Sequence, residues 1–190
     1  MYKINSFITN NSLEKLRKLK NTPCSLWVDY LGSSNLVNGV NFTMGMIGLI
    51  IKNETKEYII KSVPEIKGDG EETPRLIVFD YNNKDNNKWV SIVSQKIVKS
   101  ILIIKDHMIL EDEGNIRDEK IDVGIKIIFK DSSTFVIMST FSGVGLFEVW
   151  YANKLFDIKK KGEDILDHWG IGFRNVDEYI NLERSERRLF

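Results

Sequence analysis

The stretch Ile121-Asp122-Val123-Gly124-Ile125-Lys126-Ile127-Ile128-Phe129-Lys130 runs through Asp131-Ser132-Ser133 into Thr134-Phe135-Val136-Ile137-Met138-Ser139-Thr140. From Ile121 to Phe129, apolar residues recur at every second position, and two of the four residues between them are charged. This is the period of a strand that buries one face, and a helix would show a longer period. The stretch therefore predicts a β-hairpin whose apolar face lies in the protein core.

Further strands are predicted on both sides of this hairpin. Residues 46–52 and 57–63 are two apolar runs around a polar turn, and their β-branched isoleucines favour a second hairpin. Pro64 is expected to end that hairpin. Residues 89–93 fit a strand or part of a helix. The other predicted strands span residues 26–31, 75–81, 97–104 and 144–151.

Helical patterns occur only near the two ends of the chain. Residues 12–20 place three leucines three positions apart, with Asn11 or Ser12 as the expected cap and Pro23 just beyond the end. Residues 176–184 predict a second short helix, capped by Asn175. The charged residues 111–122 are interpreted as a connection that leads into the first hairpin.

These patterns predict a mainly β (α+β) fold, with an antiparallel sheet arranged as a barrel or a sandwich and short helices near both termini. A parallel sheet is disfavoured, because each of its crossovers needs a dozen or more residues. The chain has 190 residues and a mass of 22.0 kDa, which suits one globular domain.

Composition narrows the classes of function. The 27 basic and 27 acidic residues give a formal net charge of zero, so any binding to nucleic acid or anionic lipid must be local. The single cysteine, Cys24, and the absence of a secretion signal at the start favour the cytoplasm. The longest apolar run, residues 44–51, is too short to span a bilayer. One alanine among many isoleucines, lysines and asparagines indicates an AT-rich genome, bacterial or phage.

No residue pattern points to catalysis or to a cofactor. The two histidines, His107 and His168, have no second histidine or cysteine at the spacing of metal ligands, so neither a metal nor a cofactor is expected. Cys24 lies in no nucleophile motif. Asp167 directly precedes His168, but neighbouring residues of a strand point to opposite faces. The chain is more consistent with a binding protein than with an enzyme.

The distribution of charge gives the main functional hypothesis. An acidic segment between residues 111 and 122 is predicted to bind a protein partner with a basic surface, because complementary charge steers association. The predicted class is a non-enzymatic macromolecule-binding protein acting through surface loops, such as a bacterial immunity or antitoxin-like inhibitor. Its candidate contact residues are Glu111, Asp112, Glu113, Asp118 and Glu119.

Two alternatives remain open at this point. A small-molecule-binding β-barrel protein or enzyme could hold its ligand at the barrel mouth with His168, Trp169 and Trp150. A single-stranded nucleic-acid module could use the basic segment 12–20 or the terminal arginines, with Phe79, Tyr81 and Trp89 as stacking surfaces. The sequence leaves the oligomeric state undetermined.

Overall fold

The computed structural model describes residues 2–29, 35–37, 40–45, 48–66, 72–82, 89–112, 114–139, 147–158 and 178–190. These residues form one helix, α1 (Asn10–Arg17), and twelve strands. The strands are β1 (Tyr2–Ser6), β2 (Pro23–Asp29), β3 (Asn35–Val37), β4 (Val40–Gly45), β5 (Leu49–Lys52), β6 (Glu57–Ile66), β7 (Glu72–Asp80), β8 (Trp89–Asp112), β9 (Asn115–Phe129), β10 (Thr134–Ser139), β11 (Phe147–Ala152) and β12 (Glu178–Arg188).

The fold is organised by the long strand β8, which belongs to two parts of one sheet. The first part of β8, up to Ile97, pairs with β2 in the smaller half-sheet, β8-β2-β5-β6-β7. From Val98 onward it pairs with β9 in the larger half-sheet, which continues through β10, β11, β4 and β3. Gln95, with φ of 51°, marks an irregularity of β8 near this change of partner. The described strands follow an open path and form no closed barrel.

Almost all strand pairs are antiparallel, as the sequence predicted. The exception is β1, which runs parallel to residues 117–121 of β9. On the other edge of β8, β12 pairs antiparallel with residues 102–111. The far end of the larger half-sheet is therefore four strands wide, in the order β1-β9-β8-β12.

The main core lies between the two half-sheets and under α1. Leu26, Ile51 and Ile60 of the smaller half-sheet belong to the same buried cluster as Ile103 and Ile127 of the larger one, so the half-sheets pack face to face. A second cluster covers the opposite face of the larger half-sheet. It comprises Ile104, Met108, Leu110, Ile121, Val123, Val136, Met138 and Ile158.

The predicted N-terminal helix is confirmed, although it begins two residues earlier than expected. Thr9 is the N-cap, and its hydroxyl accepts a hydrogen bond from the backbone N–H of Ser12 at 3.2 Å. Leu13 and Leu16 are buried in the main core. The helix thus fastens the amino-terminal segment to the sheet through its apolar stripe.

The predicted central hairpin is confirmed as β9 and β10. Its first strand also starts earlier than expected, at Asn115. Gly124 lies where a Cβ atom would come within 2.9 Å of the carbonyl oxygen of Ile137 and within 2.8 Å of Met138 Cγ. Only glycine fits this position without displacing its neighbours, because Cβ contacts below 3.0 Å essentially never occur.

The second predicted hairpin is present as β5 and β6, and Pro64 lies beyond the pairing of these two strands, although β6 itself continues to Ile66. Pro64 lies directly opposite Pro74 of β7. The partner strand β5 pairs only with residues 57–60 of β6. Pro64 is therefore beyond the part of β6 that needs an N–H donor on that side, which is where a sheet tolerates proline.

Two predictions near the ends of β8 and β9 were wrong. Residues 111–122 are not a connecting segment, because β8 extends to Asp112 and β9 begins at Asn115. The predicted C-terminal helix, residues 176–184, is replaced from Glu178 onward by β12. The open edge of β8 supplies backbone partners to this charged segment, and pairing with an existing edge outweighs a helical pattern in sequence. Asn175 lies outside the described residues.

Candidate binding surface

The far end of the larger half-sheet carries a polar surface on the same side as the main core, beyond the edge of that core. Cross-strand partners share a face, and Glu111 pairs with Ile116, Ile109 with Asp118, and His107 with Lys120. We call this surface the distal face. It consists of Lys3 and Asn5 of β1, His107, Ile109 and Glu111 of β8, Ile116, Asp118 and Lys120 of β9, and Glu183 of β12.

At the centre of the distal face, an aspartate is held by basic groups. The carboxylate oxygen Oδ1 of Asp118 lies 2.8 Å from Nε2 of His107, and Oδ2 lies 3.7 Å from Nζ of Lys120. Burial opposes ionisation of Asp118. The hydrogen bond to His107 and the charges of Lys120, His107 and Lys3 outweigh burial, so the pKa of Asp118 lies below its ordinary value.

Apolar side chains flank this charged centre. Ile116 is 38% exposed, and Ile109 is partly buried on the neighbouring strand. A few exposed apolar groups beside paired charges are typical of the contact areas through which proteins recognise each other. Because the face is built from strands with continuous backbone pairing, its side chains occupy fixed relative positions before any partner arrives.

At the border between the distal face and the main core, a second aspartate, Asp122, has its pKa shifted in the opposite direction. Burial raises the pKa of Asp122, and this effect outweighs the hydrogen bond from the backbone N–H of Ile8 and the charges of Arg187 and Lys105. The N–H of Ile8 donates to Oδ2 of Asp122 at 3.1 Å. Asp122 thus joins β9 to the segment between β1 and α1.

The predicted acidic contact residues do not share one surface. Asp118 faces the distal surface, whereas the next residue, Glu119, points to the opposite side of the sheet. Glu119 is only 3% exposed and accepts a hydrogen bond from Arg117 Nη2 at 2.6 Å. Glu111 is half-buried on the distal face. Asp112 ends β8, and Glu113 lies outside the described residues.

Of the three residues predicted for a ligand pocket, the structure describes Trp150. His168 and Trp169 lie outside the described residues. Trp150 packs against the second cluster, and its Nε1 donates a hydrogen bond to a carboxylate oxygen of Glu148 at 3.2 Å. An open polar depression of about 540 Å³ lies elsewhere, at the turn between β5 and β6. Its lining is Lys52, Asn53, Glu54, Thr55, Lys56, Glu57, Asp80, Tyr81 and Asn82.

Sequence reasoning overlooked a compact Lys-Ser-Asp group beside the β9–β10 turn. Lys96 Nζ donates to Asp131 at 2.6 Å and to the hydroxyl of Ser133 at 2.9 Å, and that hydroxyl donates to Asp131 at 2.6 Å. These bonds lower the pKa of Asp131 to about 2. Although burial opposes it, bonding to Asp131 and Tyr151 raises the pKa of Lys96.

This group fastens a turn and does not activate a nucleophile. A protonated lysine cannot accept the proton of Ser133, which nucleophilic catalysis by that serine would require. The backbone N–H of Ser133 also donates to Asp131 at 3.0 Å, as in an Asx turn. The Asp-Ser-Ser sequence could have revealed the turn, but its contact with Lys96 depends on the fold.

The other candidates for catalytic chemistry are a reactive cysteine and a metal site. Cys24 is buried, and burial raises the pKa of its thiol, so the thiolate that would react is disfavoured. Within the described residues, no group of three His, Cys, Asp or Glu side chains could hold a metal ion. No helix in the described part of the chain has the length and hydrophobicity needed to span a membrane.

The nucleic-acid candidates lie in separate places. Phe79 is 41% exposed on β7, and Tyr81 packs edge to face against Trp89, with ring centroids 6.1 Å apart. At the carboxyl end of the chain, Arg184 is buried, with Nε and Nη2 bonded to both oxygens of Asp106 at 2.7 and 2.6 Å. Arg184 is therefore not on the surface that a phosphate could reach.

Comparison of the chain with protein-family models, with curated proteins and with solved structures finds no match.

Proposed function

We propose that this protein is a non-enzymatic macromolecule-binding protein that docks a protein partner through the distal face. The observation that supports this most is the arrangement around Asp118, in which paired charges adjoin the exposed Ile116 on four hydrogen-bonded strands. Rigid surfaces lose little conformational entropy on binding, which favours affinity. The most concrete form of the proposal is an inhibitor of the immunity or antitoxin kind.

The geometry changes how charge would act in such a complex. Asp118 and Glu119 are already paired within the chain, so they cannot serve as unpaired acidic contacts for a basic partner. The half-buried Glu111 and the exposed Glu183, which lies opposite His107 on β12, remain as acids of the distal face. We therefore expect a partner that covers Ile116 with an apolar side chain and places a basic group near Glu111, since apolar centres and polar rims are common in interfaces.

Affinity capture with matched variants tests this proposal. Ile116→Asp replaces the exposed apolar group of the expected contact with a charge, and Glu111→Lys reverses the charge directly across from it. Glu54→Lys, at the exposed turn between β5 and β6, is the control for a surface charge reversal. A partner protein retained by the wild type and by Glu54→Lys should be lost with Ile116→Asp and should bind Glu111→Lys more weakly.

The salt dependence of the captured complex gives the second readout. Reversing the charge of a rim residue that contacts a basic group should reduce the loss of affinity as ionic strength rises. The proposal is wrong if every protein captured by the wild type is retained equally by Ile116→Asp. It also loses its charge component if Glu111→Lys leaves the salt dependence of binding unchanged.

A further inference from the structure

The last strand, β12, has β8 as its one partner among the described strands. The backbone N–H of Leu189 donates to the carbonyl oxygen of Ile101 at 2.8 Å, and the same register pairs Arg187 with Ile103. In an antiparallel pair, alternate residues direct both backbone groups to the partner. Odd-numbered residues of β12 therefore bond to β8, and even-numbered ones direct their N–H and C=O groups to the opposite edge.

The charges along β12 are complementary to those of a second β12 strand that runs in the opposite direction. The sequence Glu183-Arg184-Ser185-Glu186-Arg187 has opposite signs at equal distances from Ser185. If two such strands run antiparallel and are centred on Ser185, Glu183 of each copy faces Arg187 of the other. Arg184 also faces Glu186, but these two are already paired within each chain, with Asp106 and Lys126. Opposite charges directly across a strand pair stabilise it, and like charges destabilise it.

Neighbouring registers lack this match. Centring the pair on Arg184 places Glu183 opposite Ser185, and centring it on Glu186 places Arg187 opposite Ser185. Of these registers, the one centred on Ser185 alone places Glu183 of one copy opposite Arg187 of the other. Glu183 and Arg187 are both exposed on β12, so their charges are accessible to a second molecule.

The backbone agrees with the same register. Centring on Ser185 places Arg184 opposite Glu186 and Leu182 opposite Arg188, and these even-numbered residues have outward-directed backbone groups. The regular part of β12 begins at Asn181, because a bulge interrupts the register between Tyr179 and Asn181. In the Ser185 register, Asn181 faces Leu189, so the paired segment ends where the bulge begins.

We propose that two copies of this chain associate through the outer edges of β12, in antiparallel register about a twofold axis at Ser185. The two larger half-sheets would then form one continuous sheet across the dimer. Charged residues often prevent an edge strand from pairing, but here their order favours one self-complementary register. Such isologous contacts are the commonest basis of dimers. This proposal does not depend on the proposed function.

Disulfide trapping tests the register directly. At the centre of the pair, the two Ser185 residues form a pair without mutual hydrogen bonds, with Cα atoms about 4.5 Å apart, within reach of a disulfide. The natural cysteine, Cys24, is buried. Under mild oxidation, Ser185→Cys should form a covalent dimer of twice 22.0 kDa much faster than Ser91→Cys, a matched variant at an exposed serine of β8. Equal rates would overturn the proposed register.

Charge exchange tests the association itself by sedimentation equilibrium. Glu183→Arg and Arg187→Glu each place like charges opposite one another at two symmetric positions, and each should raise the dimer Kd roughly tenfold. The double variant, Glu183→Arg with Arg187→Glu, restores opposite signs and should restore dimerisation. Circular dichroism verifies that each variant is folded. A wild-type chain that stays monomeric at its highest soluble concentration, or a dimer that neither reversal weakens, would overturn the proposal.

Discussion

The hairpin of β8 and β9 presents two different surfaces on one side of the same two strands. Near its base, Ile101 and Ile103 face Ile125 and Ile127, and all four are fully buried in the main core. Farther along, the equivalent positions carry His107, Asp118 and Lys120 and form the distal face. On this side of the sheet, the base is stabilised by apolar burial, whereas the far half carries charge pairs. The opposite side of the far half is apolar, with Met108, Leu110 and Ile121 in the second cluster.

The comparison shows that the far half of this hairpin lacks the apolar burial that stabilises the base on the same side. Apolar residues at the far positions would have stabilised the sheet only if another layer covered them, and exposed apolar patches of that size promote association. Charge pairs stabilise this side of the far half without such a layer, and the second cluster supplies apolar burial on its opposite side. They also leave the far half able to exchange water for a partner, which is the basis of the proposed function.

The largest expected effect concerns a buried ion pair in the far half. Asp106 and Arg184 have fully buried side chains and share two hydrogen bonds. Asp106→Ala leaves the guanidinium buried without its carboxylate and should lower the free energy of unfolding by about 3–5 kcal/mol. Urea denaturation followed by tryptophan fluorescence measures this change.

A double variant separates charge from packing at this pair. Replacing both residues with apolar ones, Asp106→Leu together with Arg184→Met, removes the unpaired charge and should recover most of the lost stability. If Asp106→Ala costs less than about 1 kcal/mol, the far half does not depend on this ion pair in the way we infer.

A smaller effect is expected from two glycines, one in each half of the hairpin. Gly124→Ala should cost about 1–3 kcal/mol, because the new methyl group overlaps a backbone carbonyl and two packed side chains. Gly114→Ala, in the turn at the far end, has open space but a φ of 76°, and should cost about 1–2 kcal/mol through backbone strain.

Thermal unfolding of the two glycine variants distinguishes these causes. Gly114→Asn should recover part of the loss, because asparagine tolerates left-handed backbone better than alanine does. At position 124, asparagine is larger still and should destabilise further. Recovery by asparagine at both positions would contradict the assignment of close packing to Gly124.

The next effect compares two aspartates of β9 and depends on pH. The folded-state pKa of Asp118 is lowered, so its carboxylate stabilises the fold at neutral pH, and this contribution is lost as the pH falls through the folded pKa. Asp118→Asn should therefore lower stability at pH 7 by about 1 kcal/mol. The difference from the wild type should disappear at strongly acidic pH.

Asp122 should show the opposite sign. Its folded-state pKa is raised, so its ionised form penalises the fold at neutral pH, and the penalty disappears once the pH is below the ordinary value of 3.8. Asp122→Asn should be at least as stable as the wild type at pH 7 and equal to it in acid, because its amide oxygen can still accept the N–H of Ile8. Urea midpoints measured across this pH range test both aspartates, and the same sign for both would contradict the assignment.

The residues of this hairpin also show what could be predicted from the sequence. Alternation from Ile121 to Phe129 was sufficient to predict the strand, because a strand depends on local periodicity. The prediction of a single buried face was wrong, since the register shifts near Gly124 and places Ile121 and Val123 in the second cluster and Ile125 and Ile127 in the main core. The chain beyond Ile121 toward Asn115 was misread as a connection, since its alternating positions are charged on both faces. The pairing of Asp106 with Arg184 joins residues distant in sequence, and no local pattern contains that information.

The same limit applies to the candidate site. Acidic residues between 111 and 119 form a cluster in sequence, but their partition between two faces requires knowledge of the strand. Once Asn115 to Phe129 is a strand, alternation assigns Asp118 and Glu119 to opposite sides. Their basic partners explain why two acids of the cluster are buried. The contribution of Lys3 comes from β1, whose parallel pairing with β9 had no signal in the sequence.

The smallest effect on stability is expected at the residue that matters most for the proposed function. Ile116 is partly exposed on the distal face, so Ile116→Asp should lower the free energy of unfolding by no more than about 1 kcal/mol, the cost of an aspartate in a strand opposite Glu111. Its folded spectrum should match that of the wild type and its urea midpoint should fall only slightly, while partner binding is lost. A variant that unfolds readily would place Ile116 among the groups that stabilise the sheet. In that case the division between a stabilising base and a recognising far half would fail at its most exposed point.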